Sequence, residues 1–123
     1  MKHLDRPVLF VATAQVERAR AFYEGVLGLA LVADEPYALV FRVGRSMLRI
    51  QKVERVPNVP YTVLGWAVRD IRSTVRQLTE AGVVFQRYEG LTQDDDWVWH
   101  SPGALVAWFQ DPDGNTLSLT QFK

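Results

Sequence analysis

The chain has no cysteine, which excludes disulfides, thiolate metal sites and a cysteine nucleophile together. Histidine is nearly as scarce, with only His3 and His100. Neither sign of charge dominates: Lys plus Arg count 14, and so do Asp plus Glu. No summed basic field exists to draw a phosphate backbone, so nucleic acid is not an expected partner. No apolar run approaches the length of a membrane span, and the first seven residues lack the apolar stretch of a secretory signal. The expectation is a soluble, cytoplasmic protein with no membrane partner. Any metal would have to be held by His, carboxylate or neutral oxygen.

What is present is a chain of 123 residues, 48% apolar and 23% charged, the size and usage of one globular domain. It reads as one unit written twice. A buried strand over 8–12 is followed by apolar Val16, Ala19, Phe22, Tyr23 and Val26 at helical spacing, closing at Leu27-Gly28. Strands over 29–32, 37–43 and 47–53 follow, separated by Asp34-Glu35-Pro36 and Gly44-Arg45-Ser46. After the Pro-bearing stretch 54–60, a strand over 62–68 leads to a helix capped by Asp70, with Ile71, Val75, Leu78 and Ala81 at helical spacing and Gly82 at its end. Strands over 83–88, around 98–100, and over 104–109 and 116–122 complete the second copy. The expected domain is thus an α+β fold of two βαβββ modules, about 7–53 and 61–122, joined by a linker over 54–60.

Strand alternation assigns the faces. Leu9, Val11, Leu48, Ile50, Leu64, Trp66, Val68, Leu117 and Leu119 should point to the helices. The opposite faces carry Val8, Phe10, Ala12, Arg49, Gln51, Val63, Gly65, Ala67, Thr116, Ser118 and Thr120. That mixture of apolar and hydrogen-bonding groups suits a cleft for a small organic ligand, or else a face turned to a neighbouring subunit or open solvent.

In this order, the segments from Val16 through Phe22-Tyr23 to Leu27-Gly28-Leu29, the restart at Val68-Arg69-Asp70-Ile71 and the closing Asp111-Pro112-Asp113-Gly114-Asn115 resemble the vicinal oxygen chelate superfamily, the glyoxalase and bleomycin-resistance group. The resemblance covers nearly the whole chain. It implies two modules whose sheets form a curved half-barrel around a pocket, and commonly a homodimer. It also implies that the closing turn is a fold marker, with Pro112 fixing one dihedral and Gly114 permitting positive φ.

Metal-using members of that superfamily place ligands on the first and last strands of each module. Counting from Gln15 and Asp70 puts those positions at Val8, Arg49, Val63 and Ser118, which offer neither imidazole nor carboxylate. No cofactor is therefore expected. A divalent metal would need another set of ligands, either the Asp94-Asp95-Asp96 run with His100 or an intersubunit site. His100 is the residue to test as a general base, the alternative being a solvated acidic loop.

The aromatic residues Trp97, Trp99 and Trp108 crowd the second module, and Phe10 lies on the proposed cleft face. With Arg49, Gln51, Ser118 and Thr120 they make the expected ligand-binding set, in which aromatic rings stack on a planar ligand, Arg49 pairs with an anion, and the neutral polar groups set orientation. An intramolecular salt bridge across the sheet is the alternative for Arg49. Three functions follow: a metal-free binder of a small planar or anionic molecule, a lyase, isomerase or dioxygenase of the same superfamily with an unconventional metal site or none, and an interaction domain.

Overall fold

The computed structural model describes residues 1–123. The chain divides into two compact units, Met1–Asn58 with Pro112–Gly114, and Val59–Asp111 with Asn115–Lys123. In the first, β1 (Val8–Thr13) leads into α1 (Val16–Arg20), which continues as a π-helical segment, Ala21–Val26, before β2 (Ala30–Asp34), β3 (Ala38–Val43) and β4 (Ser46–Lys52). The sheet order is β1-β4-β3-β2, with β1 parallel to β4 and the other pairs antiparallel. A parallel pair needs a long crossover, and the helix and the β2–β3 hairpin supply it.

Helical spacing foretold one regular helix here, and the structure corrects its second half. The Leu27 amide donates to the Phe22 carbonyl, five residues back, and the Leu29 amide closes on Tyr23. The wider turn sets the adjacent Phe22 and Tyr23 rings edge to face at 5.2 Å, with Tyr23 wholly buried and 6.1 Å from Phe41. Gly28 then takes positive φ (72°), the conformation its Leu-Gly-Leu setting announces.

The second unit holds β5 (Thr62–Ala67), α2 (Ile71–Glu80), β6 (Trp99–His100), β7 (Ala104–Gln110) and β8 (Thr116–Phe122), in the sheet order β5-β8-β7-β6. The N-terminus of α2 is satisfied twice over: Asp70 accepts from the Ser73 amide at 3.1 Å, and Gln121 Oε1 accepts from the Ile71 amide at 2.9 Å. Ile71 and Val75 are the buried stripe of this helix.

The strand expected over 83–88 does not form. Phe85 makes an isolated bridge to Phe109, and the Gln86 amide donates to the Trp108 carbonyl, after which the chain leaves the sheet. Val83 and Phe85 are buried while Val84 is exposed, so the alternation reported a half-buried segment without the ladder that defines a strand. The edge of this sheet is completed in two pieces, Phe85 beside one end of β7 and β6 beside the other.

Face assignment follows the alternation. Val11, Leu48, Ile50, Leu64, Leu117 and Leu119 are buried on the helix sides, whereas Val8 and Phe10 on the opposite side of β1 are 45% and 52% exposed. The closing turn has the expected internal bonds: Asn115 N and Nδ2 donate to the Asp111 carboxylate, and Gly114 has φ of 84°. It does more than aim β8. Within the first unit, Asp113 accepts from Thr13 Oγ1 and the Ala14 amide, and the Pro112 carbonyl accepts from Gln15 Nε2. Thr13 Oγ1 in turn accepts from the Gln15 amide, so the entry to α1 is tied by this network and not by a side chain at its cap.

Candidate functional site

The open face of each sheet, opposite its helix, is built from equivalent rungs. In the first sheet, Val8 pairs with Met47 and Met47 with Arg42; Phe10 pairs with Arg49 and Arg49 with Val40; Ala12 pairs with Gln51 and Gln51 with Ala38. In the second, the rungs are Thr62–Thr116–Gln110, Gly65–Ser118–Trp108 and Ala67–Thr120–Val106. The pairing shifts between Thr62 and Leu64, so Val63 falls at an irregularity. Counting from the helix caps had made Val63 the counterpart of Val8; by strand register that counterpart is Thr62. None of these side chains is an imidazole or carboxylate, and the residues present at Val8, Arg49, Val63 and Ser118 do not fit a divalent metal. No three His or carboxylate groups converge elsewhere on the chain in a way that would hold one.

The second unit presents an open cleft of about 450 Å³ lined by Tyr61, Thr62, Gln86, Tyr88, Trp108 and Gln110, with Val59, Pro60 and Thr116. Trp108 is its fixed wall. Its indole Nε1 donates to Thr62 Oγ1 at 3.1 Å, Tyr88 stands perpendicular to it at 5.4 Å, and Trp99 flanks it at 6.1 Å. Beside it, Gly65 has no side chain because a Cβ there would lie 2.4 Å from Ser118 Oγ. That close approach seats Ser118 in a buried position, 7% exposed, on the Trp108 rung.

The first unit carries its own cleft at the matching end of its sheet, about 870 Å³, lined by Val8, Val32, Val40 and Met47 and by Arg6, Arg42, Arg45 and Asp5. Arg49 is not among its lining residues. Its guanidinium is engaged with Glu35 at 2.7 Å, the cross-sheet salt bridge that the sequence left as an alternative.

The expected site residues therefore lie in separate groups. Trp99, Trp108, Ser118 and Thr120 share strands and a face in the second unit; Phe10, Arg49 and Gln51 share a face in the first. Trp97 belongs to neither. It sits in the loop before β6 with a left-handed φ of 69°, and the Arg87 guanidinium lies 4.5 Å above its ring. That is cation–π geometry, and it commits the indole face to Arg87. Arg87 also donates to the carbonyls of Gln93 and Asp94.

His100 is likewise engaged. Its Nε2 is 2.8 Å from Asp94 Oδ2, which also accepts from Arg72 of α2 at 2.8 Å; Arg72 reaches Asp96 at 2.9 Å as well. Asp94 Oδ1 takes the backbone amides of Asp96 and Val98. Partial burial alone would raise the Asp94 pKa, but the hydrogen bonds from Arg72, His100, Val98 and Asp96 together hold it well below the ordinary carboxylate range. The hydrogen bonds to Asp94 and Asp96 raise Arg72 in turn. The acidic run is thus a brace between α2 and the loop leading into β6.

Tyr88, Thr62, Gln86 and Gln110 of the second cleft, and Arg42 of the first, escaped the sequence reading. Extending the strand alternation to β3 and β7 would have placed Arg42 and Gln110 on the open faces. Tyr88 had no such signal, because it follows a segment that leaves the sheet.

The model of the Glyoxalase/Bleomycin resistance protein/Dioxygenase superfamily matches residues 3–119, and the chain belongs to that superfamily. Among solved structures, a glyoxalase family protein from Enterococcus faecalis is similar with a TM-score of 0.76 at 21% identity, over 98% of this chain and 100% of the other. A superfamily member from Sphaerobacter thermophilus is similar with a TM-score of 0.75 at 24% identity, over 98% and 99% of the two chains. TnmS3, an antibiotic binding protein from a Streptomyces species, has a TM-score of 0.72 at 24% identity, over 100% and 99%. These likenesses concern the fold. No curated protein matches the chain.

Proposed function

We propose that this member of the superfamily binds a small planar organic molecule, without the metal centre its superfamily commonly uses, in the cleft of its second unit. The observation that carries the proposal is the indole of Trp108, oriented by Thr62 and Tyr88 at the wall of an open cleft of about 450 Å³. A cleft of this size, with aromatic walls and a few neutral hydrogen-bonding groups, is the ordinary form of a small-molecule site. A ring held in one orientation loses little freedom when a flat ligand stacks on it. Gln86, Gln110, Thr62 and Thr116 in the lining supply amide and hydroxyl groups to fix the in-plane orientation of the ligand. Antibiotic binding by TnmS3 supports the scaffold as one compatible with such ligands.

The proposal is for binding, not turnover. His100 and Arg49, the groups that would move protons or stabilise an oxyanion, are both occupied by carboxylates. The test is quenching of tryptophan fluorescence by 1-naphthol and by quinoline, with and without EDTA. Saturable quenching indifferent to EDTA, weakened about tenfold in Trp108→Ala, is the expected result; tenfold corresponds to about 1.4 kcal/mol. Binding that requires added divalent metal would overturn the metal-free reading. Equal affinity in Trp108→Ala would move the site away from this cleft.

A further inference from the structure

We propose that the cleft of the first unit binds an oxyanion carried on a small molecule with an apolar body, and that Arg42 is its principal contact. Its lining shares no residue with that of the aromatic cleft. Three arginines, Arg6, Arg42 and Arg45, line the cleft against the single carboxylate of Asp5. The chain's ion pairs, Arg20–Glu24, Arg49–Glu35, Lys52–Asp34, Arg72 with Asp94 and Asp96, and His100–Asp94, leave all three without a carboxylate partner. Unpaired guanidinium groups lining one cleft match carboxylate and phosphate geometry, since each presents a planar fork of N–H donors.

The two repeats give the independent argument. Arg42 occupies the rung Val8–Met47–Arg42, and Gln110 occupies the equivalent place on Thr62–Thr116–Gln110. The same position in the same sheet order tolerates a neutral amide, so the fold does not require a cation there. Arg45 is added by the two-residue hairpin between Val43 and Ser46, whose first turn residue, Gly44, has φ of 58°. The remaining wall is largely aliphatic, with Val8, Val32, Val40 and Met47. A free inorganic anion would leave that wall unused, which favours an organic acid or phosphate ester.

Amide chemical shifts of the full chain, titrated separately with inorganic phosphate and with benzoate at constant ionic strength, test this. Saturable shifts confined to Arg42, Gly44, Arg45 and Ser46 are expected, and the dissociation constant should rise about tenfold in Arg42→Gln, the residue type its repeat carries. Stronger binding of benzoate would assign a carboxylate with an apolar body, and stronger binding of phosphate a phosphate ester. Arg45→Gln should weaken binding less and serves as the second variant should Arg42→Gln not fold. Shifts that never saturate, that appear equally at Arg18, Arg55 and Arg76, or that persist unchanged in both variants would overturn the proposal. Because the readout is in the first unit and not the fluorescence of Trp108, failure here is separable from failure of the planar-ligand reading.

Discussion

The two repeats share a strand order and a ladder of equivalent rungs, yet they differ in how the sheet ends and in what its open face carries. In the first, β2 is a continuous edge strand paired with β3 across one irregularity at Val32. In the second, the edge is interrupted and a side chain stands in for the missing ladder. Gln93, 9% exposed, accepts from the Tyr88 amide at 2.7 Å and donates to the carbonyls of Gln86 and Trp97 at 2.9 Å each. A primary amide has one carbonyl acceptor and two N–H donors, one more than a peptide unit, so it can bind the backbone on both sides of the gap. What the interruption gains is Tyr88, freed from strand geometry to stand against Trp108. Duplication conserves the frame here, and departure from it makes the aromatic cleft.

That contrast can be broken most severely at Gln93. Gln93→Ala strands one amide and two carbonyls in a part-buried loop, each worth roughly 1 to 3 kcal/mol when unsatisfied and partly recovered by water. A loss of about 2 to 4 kcal/mol in chemical denaturation is expected. Val32→Ala, at the irregularity in the edge strand of the first repeat, is exposed and should change stability by no more than about 0.5 kcal/mol. Comparable losses in the two variants would mean that the edges are held in the same way after all.

A smaller effect is expected at Gly65, the counterpart of Phe10. Gly65→Ala places a Cβ 2.4 Å from Ser118 Oγ and 3.3 Å from its carbonyl oxygen. Overpacking of this kind costs about 1 to 3 kcal/mol. Ser118→Ala in the same chain removes the nearer clash, so the double variant should recover most of the loss in a double-mutant cycle. A purely additive result would show that the crowding comes from the Ser118 backbone and not its hydroxyl.

The repeat, the helix caps at Asp70 and Gly28 and the faces of the central strands were legible in sequence because each rests on local periodicity or turn chemistry. The π-helical segment was not, since the same apolar spacing serves a five-residue closure at Phe22 as well as a regular turn. Nor was the broken edge: Val83 and Phe85 carry the alternation of a strand, and only the distant hydrogen bonds of Gln93 show where the chain departs. For the site, residue type located the aromatic wall at Trp108 and Trp99, but partners decided the rest. Arg49 and Arg42 look alike in sequence, and what separates them is Glu35 standing 2.7 Å from the first. Trp97 differs from Trp108 for the same reason, with Arg87 already over its ring.

The smallest effect lies in the brace of the second unit, which has no equivalent in the first. Asp94→Asn keeps an oxygen for the amides of Asp96 and Val98 and removes only the charge shared with Arg72 and His100. Both side chains of the Arg72–Asp94 pair are about one-third exposed, so solvent screening limits the loss near neutral pH to roughly 0.5 to 1 kcal/mol. The Asp94 carboxylate is depressed in the folded protein, so its stabilisation is fully present above the ordinary carboxylate pKa of about 4 and is lost as pH falls toward the lower folded value. The stability gap between the parent chain and Asp94→Asn should therefore be flat from neutral pH to about pH 5 and should narrow below about pH 4. A gap that stayed unchanged down to about pH 3 would show that the Asp94 charge is not what stabilises the brace.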